Sequence, residues 1–185
     1  MKTKMFLVLL VVGAFCAVQP AHAHHAFAAQ YDPTKINKKL FAIYMQAMEK
    51  ANSRDFNGAI DLLNQCISME PKYVDAFLSL GGVYGQLKNY KSSTDNYEKA
   101  FAIDSNYTNE YKLPYSIDLA GQGRFQEALN TINALLNSEK ISPATRRASE
   151  FRQKTYEFAV DYATKHSNSS YQFTPVNLGD SINTP

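Results

Sequence analysis

A motif recurs along the middle of this chain about every 34 residues. The stretches RDFNGAIDLLNQCISMEPKY, KNYKSSTDNYEKAFAIDSNY and GRFQEALNTINALLNSEK align on one another, and each carries an aromatic residue near its start, at Phe56, Tyr90 and Phe125. Inward positions follow at fixed offsets from each aromatic: Ala59, Ser93 and Ala128; Leu63, Tyr97 and Ile132; Cys66, Ala100 and Leu135. A period of this length indicates stacked supersecondary units, each of which packs on its neighbours.

The spacing resembles the tetratricopeptide repeat, a helix–turn–helix unit with the pattern W-x2-L-G-x2-Y…A-x3-F…P. The second unit matches best, and its matching residues are Phe77, Leu80, Gly81, Tyr84, Tyr90, Tyr97 and Ala100. The first unit departs from the pattern at Gln46 and Lys50 and matches it at Ile43, Ala47, Phe56, Ala59, Leu63 and Pro71. In the third unit, Tyr115 and Leu119 match but Pro114 does not.

The residue types at these positions agree with helix pairs. Small residues at Ala59 and Gly81 allow the two helices of a unit to approach closely, and the aromatic residues fill the space between units. Because one helix pair cannot bury both of its faces, about three stacked units are needed for a stable fold. The sequence therefore predicts an all-α protein, an α-solenoid of about three tetratricopeptide repeats with a C-terminal capping helix.

Seven helices are predicted, over residues 36–52, 56–69, 73–87, 90–103, 107–121, 125–138 and 143–165. Pro114 is expected either to kink the fifth helix or to mark its true start. In the seventh, Ser142 is the expected N-cap and Pro143 the first helical residue. Its apolar stripe is expected to cover the last repeat and consists of Ala148, Phe151, Tyr156, Phe158, Ala159 and Tyr162.

The first 23 residues have the anatomy of a secretory leader. Two lysines precede an apolar stretch over residues 5–18, and Ala21-His22-Ala23 is a typical cleavage site. The alternative is a lipoprotein leader with Cys16 as the lipidated residue, although Phe15 stands where a small residue is preferred. Cleavage after Ala23 would leave a soluble, exported protein of 162 residues, with Cys66 as its only cysteine.

Charge and motif content favour a non-enzymatic protein. Loss of two leader lysines reduces the 19 basic residues to 17, which equals the 17 acidic ones, so no basic surface for nucleic acid is predicted. The sequence contains no phosphate-binding loop, nucleophile elbow or H-E-x-x-H motif. We expect no catalytic residue, no resident metal and no cofactor.

One alternative gives the chain a metal-handling or redox role. Cleavage after Ala23 would make His24 the amino terminus, and a terminal amine with the imidazoles of His24 and His25 can hold copper. The simpler interpretation is a flexible processing region with no third ligand. Cys66 could likewise be a reactive thiol, but it stands at a small inward position of the repeat, where it is expected to pack as a small hydrophobe.

The resemblance implies that the first helix of each repeat lines a concave face that binds a protein partner. Periodicity places six residues on that face, where they would form an apolar trough for a helix or an extended segment: Phe41, Tyr44, Met48, Leu78, Leu113 and Ile117. The alternative is that neighbouring helices or segment 24–35 bury some of them. The lysine–asparagine clamp with which some members grip a terminal carboxylate is absent, since its positions hold Tyr44, Met48, Ser79 and Glu110.

The tail differs in character from the helices. Its phrase F-x-P-x-N-L-G-x-x-I-N-T, over residues 173–184, resembles the beginning of a WD-like β-propeller in Bacteroidota-type envelope proteins. In those proteins a leader, tetratricopeptide repeats, a propeller and an outer-membrane-protein-A-like peptidoglycan-binding domain follow one another, and some members serve type IX secretion. The resemblance implies a periplasmic scaffold that binds an envelope or secretion component.

These patterns give a domain organisation. Residues 1–23 are the predicted leader, 24–35 a linker, 36–165 the repeat domain with its capping helix, and 166–185 an extended tail that begins a propeller. Peptidoglycan binding would need a domain that this sequence does not contain. The sequence is expected to be a fragment, because an unpaired edge segment has little reason to end so abruptly; the alternatives are a truncated gene product and a vestigial tail. Without a propeller to pair with, residues 171–185 are expected to be extended and poorly packed.

Overall fold

The computed structural model describes residues 38–165, and this part of the chain is helical. Its α-helices are α1 (Lys38–Asn52), α2 (Phe56–Met69), α3 (Val74–Gln86), α4 (Tyr90–Ile103), α5 (Lys112–Gly121), α6 (Phe125–Leu136) and α7 (Pro143–Lys165). A 3₁₀ turn over Asn109–Tyr111 precedes α5. The predicted all-α solenoid is confirmed. The leader, the two histidines, the linker and the tail lie outside the described residues.

The helices pair in chain order as α1–α2, α3–α4 and α5–α6. Each pair also packs on the next, through α2 with α3 and α4 with α5, while α7 packs on α6. The first helices of successive pairs touch as well, α1 with α3 and α3 with α5. We call the surface formed by α1, α3 and α5 the first-helix face.

The turn inside each pair shows the repeat period in the backbone. Arg54, Lys88 and Gly123 all have left-handed conformations, with φ values of 63°, 57° and 76°. The next residue in each turn is the N-cap of the second helix. Asp55 accepts a hydrogen bond from the Gly58 amide and Asn89 accepts one from the Ser92 amide, so both cap exposed amides at a helix N-terminus.

Three hydrophobic clusters fill the stack. The first lies between α1 and α2 and extends onto α3. The second lies between α3 and α4, and the third among α5, α6 and α7. The inward repeat positions form their centres, because Ala59, Leu63, Cys66, Ala100, Ala128, Ile132 and Leu135 are fully buried. The burial of this set confirms the inward positions inferred from the repeat.

The fifth helix begins later than the sequence pattern predicts. A 3₁₀ turn replaces its first turn, and Pro114 then lies third in α5 (Lys112–Gly121). Proline is tolerated there because the first amides of an α-helix have no partner within the helix. Pro114 therefore lies at the start of the helix, the second of the two expected outcomes.

The predicted packing face of α7 is wrong, because three of its four aromatic residues are exposed. Tyr156 is buried against the third cluster, but Phe151, Phe158 and Tyr162 are exposed. Successive α-helical residues are about 100° apart, so Phe151 and Phe158 lie nearly opposite Ser149 and Tyr156. Buried Ser149 was not part of the predicted stripe, which combined residues from two faces of the helix.

Candidate partner-binding face

The accessible apolar part of the first-helix face lies on α1. The side chains of Phe41 and Met45 are each 40 % exposed, and Met48 is half-buried. These residues are four and three positions apart, so they form one row along the helix. Met45 was absent from the predicted site, although its spacing from Phe41 and Met48 would have included it.

Two of the predicted trough residues are buried. Tyr44 packs in the first cluster, where its ring meets Tyr73 edge-on at a centroid distance of 5.4 Å. Leu78 packs in the second cluster, against which Tyr107 and Tyr111 also lie. For these two residues the structure supports the alternative of burial beneath neighbouring helices.

The remaining predicted residues are partly accessible. Leu113 packs against the third cluster, and Ile117 is half-buried on α5. Four of the six predicted residues thus pack in or against the clusters, and Phe41 and Ile117 belong to none of them, so the six do not form one continuous apolar floor. Their role in binding a partner stays a prediction, which applies best to Phe41 and Met48.

The positions of the missing carboxylate clamp have other contacts. The hydroxyl groups of Tyr44 and Ser79 are hydrogen-bonded at 3.1 Å, and Ser79 donates to the Met48 sulfur at 3.5 Å. Glu110 accepts from the Ser142 amide at 2.6 Å and from the side chains of Ser142 and Thr145 at the start of α7. The three positions on α1 and α3 are uncharged, so they offer no cation to a terminal carboxylate.

The start of α7 follows the expected capping pattern. Ser142 Oγ accepts a hydrogen bond from the Thr145 amide at 3.1 Å, which confirms Ser142 as the N-cap. The carboxylate of Glu110 lies at the same helix end, where negative charge is stabilised. Glu110 therefore fixes α7 to the third repeat.

A buried carboxyl group adds polarity behind this face. Asp75 is 4 % exposed and accepts a hydrogen bond from the Tyr107 hydroxyl at 2.6 Å. Burial raises the pKa of Asp75, and the bond from Tyr107 partly opposes this effect. The pKa of the Tyr107 hydroxyl is raised mainly by burial and, to a smaller extent, by its hydrogen bond to Asp75. The pair ties α3 to the loop that leads into the third repeat.

Cys66 is a core residue, as its repeat position predicts. Its side chain is fully buried, its sulfur lies 3.9 Å from the Leu40 carbonyl oxygen, and burial raises the pKa of the thiol to about 11. The thiolate is the reactive form of cysteine, so both access and ionisation are suppressed. Burial separates Cys66 from any exposed metal or redox site.

We expect alkylation of Cys66 in the folded protein at pH 8 to be at least about 100-fold slower than in denaturant. The measurement is the rate of iodoacetamide modification of a chain over residues 24–185, in which Cys66 is the only cysteine. The same chain in guanidinium chloride is the control. Equal rates in the two conditions would contradict the buried placement.

A search of residues 38–165 finds no group of three or more histidine, cysteine, aspartate or glutamate side chains placed to hold a metal ion. Across the same helices, none is both long and apolar enough to cross a membrane.

Comparisons with known proteins agree with this architecture. Residues 74–107, which include α3 and α4, match the family model described as "Tetratricopeptide repeat". The Sgt2 TPR domain from Aspergillus fumigatus superposes with a TM-score of 0.62 at 12% identity, covering 82% of this chain and 99% of that one. The described domain therefore has the fold of a tetratricopeptide α-solenoid, and residues 74–107 match one repeat of that family.

Two further proteins resemble parts of the chain. The first TPR of Spaghetti (RPAP3), solved bound to the HSP90 peptide SRMEEVD, has a TM-score of 0.61 at 13% identity and covers 68% of this chain and 96% of that one. An N-terminal acetyltransferase A complex subunit-like protein from Schizosaccharomyces pombe is 23% identical over 117 residues, 63% of this chain. The match spans 16% of that relative's length.

Proposed function

We propose that this protein is a non-enzymatic interaction scaffold that holds a protein partner on the first-helix face. The observation that carries the proposal is the accessible row of Phe41, Met45 and Met48 on a tetratricopeptide solenoid. Apolar side chains four and three residues apart suit an amphipathic helix or an extended segment of a partner. Protein binding is the ordinary use of this fold, and the Spaghetti domain with its HSP90 peptide is one example.

The partner is proposed to contact this face through apolar groups rather than through a terminal carboxylate. Tyr44, Met48 and Ser79 contact one another at the clamp positions and carry no positive charge. An acidic peptide terminus would gain no ion pair from them. Selectivity would then come from the shape of the α1 row and from hydrogen bonds at its edge.

The proposed location is the periplasm or outer-membrane envelope, as part of a secretion or cell-wall-linked assembly. Support comes from the leader-like residues 1–23 and from the likeness of residues 173–184 to the start of an envelope propeller. Amino-terminal sequencing of the protein from an envelope fraction tests this location, and a terminus at His24 is the expected result. Propeller motifs encoded beyond Pro185 would support the wider assembly.

Site-specific photocrosslinking tests the binding face in cells. A photoreactive amino acid at position 45 should crosslink a defined partner, whereas one at Ala102, exposed on second helix α4, should not. Phe41→Asp should reduce the yield of the position-45 crosslink at least about tenfold, and Ala102→Asp should leave it unchanged. Equal crosslinking from positions 45 and 102, or no effect of Phe41→Asp on a folded chain, would refute the assignment.

A further inference from the structure

Helix α7 has a second face with the spacing of a helix–helix seam. Its inner face packs Ser149 and Tyr156 toward the third repeat. The opposite face has exposed residues spaced alternately by four and three positions: Ala144, Ala148, Phe151, Thr155, Phe158, Tyr162 and Lys165. A sustained spacing averaging 3.5 residues is the pattern by which one helix packs along another. We call these seven residues the outer seam.

The outer seam is apolar at its centre, where a capping helix is expected to be polar. The side chains of Phe151 and Phe158 are 65 % and 70 % exposed, more than the other large hydrophobic residues of the described chain. Each aromatic side chain in water forgoes the free energy of burial, about 25 cal/mol per Å². Two such residues seven positions apart on a well-formed helix indicate a face that another helix covers.

The position of α7 in the stack indicates which kind of element would cover the outer seam. It packs on α6 and less extensively on α5, as α3 packs on α2 and α1. It therefore occupies the place of a first helix in a fourth pair. The first helices α1, α3 and α5 each pack on a following helix. Residues 166–185 contain Pro175, Gly179 and Pro185, which disfavour such a helix by sequence.

We propose that the covering helix is α7 of a second copy of this chain, which lies antiparallel along the outer seam. With the two-fold axis near residues 154 and 155, Phe151 of one copy faces Phe158 of the other. Tyr162 then faces the small side chain of Ala148, so that large and small residues alternate along the contact. The same surface serves both copies, as a two-fold interface requires.

Arg147 and Asp161 beside the seam favour the antiparallel arrangement, whereas Lys154 of each copy would lie near the other at the two-fold axis. Arg147 and Asp161 lie on the same edge of the outer seam, at opposite ends of α7. In an antiparallel pair, Arg147 of each copy would therefore face Asp161 of the other. Asp161 now accepts from Lys165 at 2.7 Å in the same chain, but both side chains are more than half exposed. Such a surface pair contributes little to stability and can exchange. A parallel arrangement would instead place Arg147 beside Arg152, which flanks the other edge of the seam in the second copy.

Sedimentation velocity of the chain over residues 24–185 tests the proposal. One helix per copy buries less area than a standard interface, which buries about 800 Å² per partner. We therefore expect a dimer with a dissociation constant in the micromolar range. Phe151→Asp and Phe158→Asp should each weaken dimerisation at least about tenfold. The matched control is Leu87→Asp, because Leu87 is 44 % exposed and lies in the turn between α3 and α4.

A charge exchange distinguishes this dimer from non-specific association. Arg147→Asp or Asp161→Arg alone should weaken the dimer, and the double variant should restore it toward the original affinity. Circular dichroism of each variant establishes that α7 is still folded. A chain that remains monomeric up to several hundred micromolar, or a double variant no tighter than the singles, would overturn the proposal. The crosslinking test of the first-helix face is unaffected by either result.

Discussion

Gly81→Ala is expected to lower the free energy of unfolding by about 2 kcal/mol. A Cβ atom at this position would lie 2.8 Å from the ring of Tyr97, closer than side-chain atoms approach without a shift. The ring cannot move aside easily, because Tyr97 is 3 % exposed and packs against Phe101, Tyr111 and Tyr115. The overlap is expected to outweigh the gain of up to about 1 kcal/mol that alanine brings to a helix.

The neighbouring glycine is a matched control for this substitution. A Cβ atom at Gly82 would have the Tyr97 hydroxyl oxygen as its nearest neighbour, at 3.8 Å, which is ordinary van der Waals contact. Gly82→Ala should therefore stabilise the protein by about 0.5–1 kcal/mol through helix propensity. Urea unfolding of the two variants measures the difference, and equal stabilities would contradict the close packing between α3 and α4.

Asp118→Asn is expected to stabilise the protein at pH 7.5 by about 1–2 kcal/mol and to have little effect at pH 4. Asp118 on α5 is 6 % exposed, and burial raises the pKa of its carboxyl group to about 6, with the hydrogen bond from Ser93 opposing the rise. Gly85 on α3 makes room for this carboxyl group, since a Cβ atom there would lie 3.2 Å from both of its oxygens.

The hydroxyl of Ser93 explains why the neutral form fits. Its oxygen lies 2.6 Å from the Gly81 carbonyl oxygen and 2.5 Å from Asp118 Oδ2, and one hydroxyl proton serves only one of them well. A protonated Asp118 donates to Ser93, which then donates to Gly81. The side-chain amide introduced by Asp118→Asn would donate to Ser93 in the same way. The other titratable groups that interact with Asp118 are Tyr97 on α4 and Tyr156 on α7.

The sign of the pH dependence follows from the raised pKa. Between the ordinary value of 3.8 and about 6 the folded protein binds more protons at Asp118 than the unfolded chain does. Stability from this group is full below about pH 4 and is lost as the pH rises through about 6, a loss of about 1–2 kcal/mol once solvent screening of the carboxyl group is included. The difference in the free energy of unfolding between Asp118→Asn and the original chain isolates the contribution of the Asp118 carboxyl group. A constant difference from pH 4 to pH 7.5 would refute it.

Much of the fold is predictable because the repeat puts the same residue types in the same places. Phe56, Tyr90 and Phe125 each begin a second helix, and the small and apolar residues at fixed offsets from them are buried. A local signal also suffices at Ser142, which caps α7 as predicted. Pro114 indicated that helix five is irregular but left its first residue undecided.

The binding site was less predictable, because periodicity locates a helix face but does not show what lies against it. Tyr44 and Leu78 have the spacing of exposed trough residues, yet neighbouring units bury both. The outer seam of α7 was missed for the same reason, whereas Met45 could have been found from its spacing to Phe41 and Met48. Phe151 and Tyr156 are both aromatic, and only the packing of α6 distinguishes the covered residue from the exposed one.

The sequence by itself determined the helical repeat, its period and the small residues at its centre, because these depend on local spacing and on side-chain volume. Only the tertiary structure decided which faces remain open. It also placed Ser93 between Gly81 and Asp118, which are distant in sequence but adjacent where three helices meet. Exposure and the pKa of a buried group depend on contacts between units, and such contacts are fixed only when the units have stacked.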